Sequence, residues 1–158
     1  MTAMDWAKRP LERYADFSGR APRAEYWWFT LFAIIALVVV SVVENMIGIG
    51  GMIMGVYGPL SCLLYLGLLV PSLAVGVRRL HDTNRPGWWL IPTVVCYAAA
   101  MVVGGKEMMT ANPTASFGLA GMLMLAGMAF AIILLVFYCL EGTKGDNSYG
   151  PDPYAGQH

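Results

Sequence analysis

Charge is scarce in this chain. Asp, Glu, Lys and Arg make up 13% of its 158 residues, where a soluble domain carries about 25%. Histidine occurs only at His81 and His158, which is too few for the multi-histidine site of a metal-dependent phosphohydrolase. The GxSxG, HExxH and P-loop patterns are absent, so no catalytic residue, metal or cofactor is expected. Cys62, Cys96 and Cys139 each fall inside an apolar run without CxxC spacing, which argues against a disulfide framework or a zinc site and leaves them as packing residues. Net charge is zero and the basic residues sit beside apolar runs, so no nucleic-acid partner is expected. A cleavable signal is not visible either: residues 1–25 are polar, and the first apolar run begins too late and runs too long for an h-region. That run is expected to stay as an anchor.

What the chain has in abundance is apolar surface. Its hydrophobic fraction is 58%, against about 45–50% in soluble domains, and this points to lipid as the solvent. Four apolar runs, at about 27–43, 56–77, 88–103 and 117–140, predict an all-α membrane protein, a four-transmembrane-helix bundle with a short N-terminal interfacial helix. The expected divisions are 1–25, an N-terminal segment; 26–140, the bundle; and 141–158, a turn-rich tail. In the N-terminal segment Met4, Ala7, Leu11 and Tyr14 recur at near-helical spacing, with Pro10 expected to divide the helix into two short pieces.

Pro22 suits the first position of the first span, with Glu25 in its first turn and Trp27 and Trp28 as interface anchors. Glu44 and Asn45 are expected to end it. A glycine-rich loop over 46–58 follows, where Gly51 and Gly55 form only a weak GxxxG signal. Pro59 lies near the start of the second span. Pro71 lies inside it and should free the carbonyl four residues earlier. Trp88 and Trp89 anchor the third span, which carries Pro92 in its first turns. Residues 104–116, with Lys106, Glu107 and Pro113, are expected to form a loop. Gly127 and Ala131 offer a close-contact face on the fourth span, and Glu141-Gly142 a C-terminal cap. The spans themselves hold no Asp, Glu, Lys, Arg or His, and offer hydroxyls such as Ser61, Ser72 and Thr93, with Glu44 at an edge; a proton- or ion-coupled carrier is not expected.

Of ten Lys and Arg residues, all but Lys106 fall in the N-terminal segment, the loop between the second and third spans, or the tail. The positive-inside rule places those three elements in the cytoplasm, with both termini inside. The same topology gathers 19–25, 78–87 and 146–153 on one face. Arg20, Arg23, Arg78, Arg79 and Arg85 then meet Glu25, Asp82, Asp146 and Asp152. If the second helix reaches Asp82, Arg78 and Asp82 stand at i,i+4 on a face shared with His81. Three readings follow: a clamp of ion pairs, a site for anionic lipid headgroups or an acidic partner, and chemistry at His81 and Asp82.

Phe17-Ser18-Gly19-Arg20-Ala21-x-Arg23-x-Glu25-Tyr26-Trp27, then Pro71, Val77-Arg78-Arg79-Leu80-His81-Asp82-Thr83, Gly87-Trp88-Trp89 and Gly145-x-Asn147-x-Tyr149-Gly150-Pro151-Asp152-Pro153, resembles the DUF805 family of small bacterial inner-membrane proteins. Asn84 and Pro86 depart from it, standing where the family more often has glycine and serine. The resemblance implies a polytopic inner-membrane protein and assigns no chemistry. The candidate cluster is thus Arg20, Arg23, Glu25, Arg78, Arg79, His81, Asp82, Asn147, Tyr149 and Asp152. The leading expectation is a non-enzymatic membrane protein whose arginine-rich face meets lipid headgroups, a second copy or another membrane protein. The alternative is an enzyme or transporter subunit that uses His81 and Asp82.

Overall fold

Thr2 opens the first helix, α1 (Ala3–Glu12), with a reciprocal cap: its hydroxyl accepts from the Asp5 amide at 3.3 Å, and its own amide donates to the Asp5 carboxylate at 2.7 Å. The structure is a computed structural model and describes residues 2–51, 58–109 and 118–155, with backbone only for 106–109. Gly55, Val56, Pro113, Phe117 and His158, named above, lie outside the described residues. The Pro10 expectation is corrected, because α1 runs through Pro10 as one helix. The ring's fixed φ is helical, and Pro10 and Ala7 are buried on the face turned to the bundle, which offsets the one amide lost. Met4, Leu11 and Tyr14 are exposed at the border of that face.

The second helix, α2 (Arg23–Met46), is capped by Pro22 rather than begun by it, and does not stop at Glu44 and Asn45. Asn45 bonds back to the Ser41 carbonyl at 2.7 Å. Glu44 is buried, and its carboxylate accepts from the amides of Leu60 and Ser61, at 2.5 and 3.1 Å, and from the Ser61 hydroxyl. Those amides are the unpaired first donors of α3 (Pro59–Asp82). Glu44 is therefore no loose edge residue but the cap of the next helix. Gly58 has to lack a side chain here, because a Cβ would run into the Glu44 carboxyl.

The α3 helix continues past the expected end at residue 77, since Arg78, Arg79 and Asp82 find partners outside it in Glu25, the carbonyls at the end of α5 and Arg20. Asn84 then turns the chain at φ 55°. Asparagine tolerates that left-handed conformation better than most residues. A single 3-10 turn, Gly87–Trp89, leads into α4 (Leu90–Met109). Pro92 sits in the first turn of α4, where its missing amide costs nothing. Lys106 and Glu107 belong to this helix, not to a loop. The last helix is α5 (Leu119–Cys139), ended by Leu140 in extended conformation rather than by Gly142.

Four stretches, Arg23–Met46, Pro59–Asp82, Gly87–Gly105 and Leu119–Cys139, are long and apolar enough to cross a membrane. No strand occurs among the described residues, only an isolated bridge between Asn147 and Gly150. Gly127 lets α4 and α5 close up, since a Cβ there would sit 3.3 Å from Cys96 and Tyr97. Cys62 and Cys96 are half-buried and Cys139 is exposed, all as free thiols; Cys139 is thus not the packing residue expected.

Two apolar clusters join the helices. One gathers Ala21, Phe29, Leu68 and Val75, and the other Leu80, Leu134 and Tyr138. Tyr26 packs against both, with its ring 4.4 Å from that of Tyr138. Away from them the helices turn leucine, isoleucine and valine outward, as suits lipid solvent.

Candidate functional site: the polar knot at one end of the bundle

The last turn of α3 presents Arg78, Arg79, His81 and Asp82 to different neighbours. Around a helix, residues one apart point about 100° away from each other, so the two arginines cannot share a partner. Arg78 donates to Glu25 in α2 at 2.8 Å, and both side chains are 0% exposed. Arg9 of α1 approaches the other carboxylate oxygen at 3.5 Å. Arg79 pairs with Asp82, three residues on, in the same turn. The expected Arg78–Asp82 pair is therefore corrected: Glu25 takes Arg78, and Asp82 takes Arg79 and Arg20, the latter at 3.0 Å.

The remaining donors of Arg79 and Arg20 go to backbone carbonyls, whereas Arg78 Nε and Nη1 are buried without a hydrogen-bond partner. Arg79 reaches the Tyr138 carbonyl at 3.2 Å and that of Leu140, closing the end of α5, where the unpaired carbonyls and the helix dipole favour a cation. Arg23 joins it, with Nε 2.8 Å from the Leu140 carbonyl. Arg20 uses the whole width of its guanidinium: besides Asp82, it donates to the carbonyls of Thr143, Gly145 and Gly150 at 2.5, 2.6 and 3.4 Å. A planar fork with five donors suits this task, and a lysine could not do it.

The tail is held by the same turn of α3. The Thr143 amide donates to the Asp82 carbonyl at 2.8 Å, and the Asn147 side chain to the His81 carbonyl at 2.9 Å. Asn147 also accepts from the Tyr149 amide at 2.9 Å, which sets the Tyr149 ring flat on His81, 3.9 Å away and 5° from parallel. His81 Nδ1 lies 3.1 Å from the Gly19 carbonyl, an acceptor, so that nitrogen carries the proton. Asp152 accepts from the amides of Gly145 and Tyr154, both at 2.9 Å, and closes the tail's turn. Burial pushes the Tyr154 hydroxyl up from its usual pKa.

The structure thus brings together all ten residues of the expected cluster, while Asp146 accepts from the Asp152 amide inside the tail. Arg85 is elsewhere, 4.1 Å above the Phe137 ring. Of the expected anchors, Trp27, Trp28 and Trp88 face outward. Trp89 is turned in, stacked on Trp88 at 5.0 Å and set edge-on to Phe137 at 5.3 Å. No group of three or more metal-ligating side chains occurs among the described residues. Between the start of α2 and the tail lies a cleft of about 340 Å³, lined by Arg20, Arg23, Asp82, Glu141, Lys144 and Asp152 among others.

Sequence reasoning passed over three participants. Arg9 reads as a polar residue of the interfacial helix and Tyr14 as one of its apolar set, and no local signal marks either as a partner of the bundle. Glu44 carried a signal, as the one carboxylate between the first two spans, with Pro59-Leu60-Ser61 opening a helix soon after.

A bundle of four long apolar helices, joined at one end by buried arginine pairs, defines a polytopic integral membrane protein. The chain belongs to the family described as "Protein of unknown function (DUF805)", whose pattern matches residues 14–151. It is 34% identical over 156 residues to "Inner membrane protein YhaI" of Escherichia coli strain K12, covering 98% of this chain and 100% of the relative. It is 33% identical over 155 residues to "Inner membrane protein YhaH" of the same strain, covering 95% and 97%. "Uncharacterized protein YiiR" of that strain is 29% identical over 144 residues, covering 87% and 85%. No solved structure matches. With these relatives and its four apolar helices, the chain is a multi-pass inner-membrane protein.

Proposed function

We propose that this protein is a non-enzymatic membrane component whose charged end lies in the cytoplasm and holds the phosphate of lipid headgroups. The observation that carries the reading is the division of labour among the cations. Arg20, Arg78 and Arg79 are buried and engaged with Asp82, Glu25 and helix-end carbonyls. Arg23 and Lys144 line the cleft beside them: Lys144 is exposed, and Arg23 has only Nε committed, to Leu140. Two unspent cations at the edge of an apolar bundle suit a phosphate ester at the membrane surface.

The charge bias among Lys and Arg supports the cytoplasmic assignment of both termini. The outward Met4 and Leu11 of α1 fit a helix lying along the interface. His81 and Asp82 favour structure over chemistry, since both carboxylate oxygens of Asp82 are paired within the knot and His81 is held there by its Nδ1 and by the stacked Tyr149 ring.

The test is native mass spectrometry of the full chain released from mild detergent. Wild type is expected to carry phospholipid, and Arg23→Ala/Lys144→Ala to lose it while its thermal unfolding stays cooperative. Equal lipid retention by a well-folded double variant would count against the reading.

A further inference from the structure

The cleft is not an anion site of the ordinary kind. Its lining holds three cations, Arg20, Arg23 and Lys144, and three carboxylates, Asp82, Glu141 and Asp152, so it is neutral as a whole. Arg20 and Asp82 satisfy one another. Asp152 accepts two amides of its own turn. What is left to face a ligand is Arg23 and Lys144 on one side of the account and Glu141, which is exposed, on the other. A ligand with a net negative charge would meet Glu141 with nothing to set against it, and like charges at such separations repel. A headgroup with both signs meets a partner for each.

Size and position narrow the choice. At about 340 Å³ the cleft lies at the low end for small-molecule sites, which run from about 300 to 1,000 Å³. It opens where apolar helices begin and end: Arg23 starts α2, one turn before the outward Trp27 and Trp28, and Glu141 follows the end of α5, where Val136 and the capping Leu140 face outward. A ligand that leaves acyl chains along those surfaces and puts only its headgroup in the cleft fits both facts. Glu141 is an acceptor, so it rewards an ammonium that still carries N–H donors over a trimethylated one that carries none.

We propose that the cleft holds the headgroup of a zwitterionic aminophospholipid, with the phosphate against Arg23 and Lys144 and the primary ammonium against Glu141. This rests on the lipid-phosphate reading above and specifies which lipid.

The experiment places the full chain in mixed micelles with equal amounts of phosphatidylethanolamine, phosphatidylglycerol and phosphatidylcholine, and measures by native mass spectrometry which lipid stays bound. Wild type is expected to retain phosphatidylethanolamine over both others. Glu141→Gln is expected to lower that preference about tenfold, the scale of one charge-assisted hydrogen bond, and Glu141→Asp to keep it. Glu141 is exposed, so neither change threatens folding. Wild-type preference for phosphatidylglycerol, parity with phosphatidylcholine, or an unchanged ratio in Glu141→Gln overturns this inference and leaves the phosphate reading standing. Full retention of all three lipids by Arg23→Ala/Lys144→Ala overturns both.

Discussion

The Tyr14 hydroxyl donates to the carbonyl of Gly67 across 2.6 Å. That carbonyl is the one Pro71 leaves without an amide, because proline at position i cannot bond to residue i−4. A defect in a membrane helix is thus mended by a side chain from outside the bundle, which ties the segment after α1 to the middle of α3. Tyr14→Phe should destabilise the protein by about 1 kcal/mol, the net worth of one hydrogen bond. In a Pro71→Ala background the helix can satisfy Gly67 itself, and the same change should cost little. Thermal unfolding of the four species in detergent completes the cycle; equal losses in both backgrounds would show that the two residues are not coupled.

The Glu25–Arg78 pair is fully buried, so removing one member strands a charge. Glu25→Ala or Arg78→Ala alone should cost on the order of 3–5 kcal/mol and depress folded yield. Glu25→Leu/Arg78→Met should cost clearly less than the two single changes together, since an apolar pair leaves no buried charge. Exchanging Arg78 with Asp82 should rescue nothing, as these residues are not partners. Folded yield by size exclusion and thermal melts distinguish these outcomes.

Arg20 stitches the tail to α3, and a lysine there keeps the charge but loses the fork. Arg20→Lys should expose 143–155 to limited proteolysis and leave the helices protected. Gly142→Ala should act alike, because a Cβ at Gly142 would land on the Asp82 carboxylate that Arg20 holds. A tail as resistant as wild type in both variants would mean that the other bonds, from Thr143 and Asn147, suffice.

What the sequence disclosed follows from the length scale of each cause. Apolar runs are local, and a stretch such as 117–140 reads as a span from composition alone. Helix ends are not local. Glu44 looks like a terminator until α3 supplies amides for it to accept, and Arg78 to Asp82 look like a loop until α2, α5 and the tail supply partners. The candidate cluster was legible because charge is rare in this chain and must be explained wherever it occurs. Its pairing was not legible: i,i+4 spacing nominated Arg78 with Asp82, whereas Glu25, far away in sequence, gave Arg78 a buried partner. Arg20 and Arg79 spend most of their donors on backbone carbonyls, which every residue has and no motif can mark.

Acid should weaken the turn between α1 and α2. Asp16 accepts from the Ser18 hydroxyl at 2.5 Å and the Ser18 amide at 2.9 Å, and from Arg13 at 2.6 and 2.9 Å. The Ser18 hydroxyl and amide, then the Arg13 guanidinium, hold its carboxyl well below the ordinary value of 3.8. A carboxyl depressed by folding adds stability above its unfolded value, and that share is lost as pH falls toward the folded one. The loss should begin below about pH 5 and stay small, because Asp16 is half-exposed and salt screens its ion pair. Asp16→Asn should therefore melt below wild type at pH 7, with the gap narrowing below about pH 4 and still open at pH 3. Thermal unfolding of both proteins across that range at low and high salt checks it, and a gap indifferent to pH would place the stabilisation in the geometry of the turn rather than in the charge of Asp16.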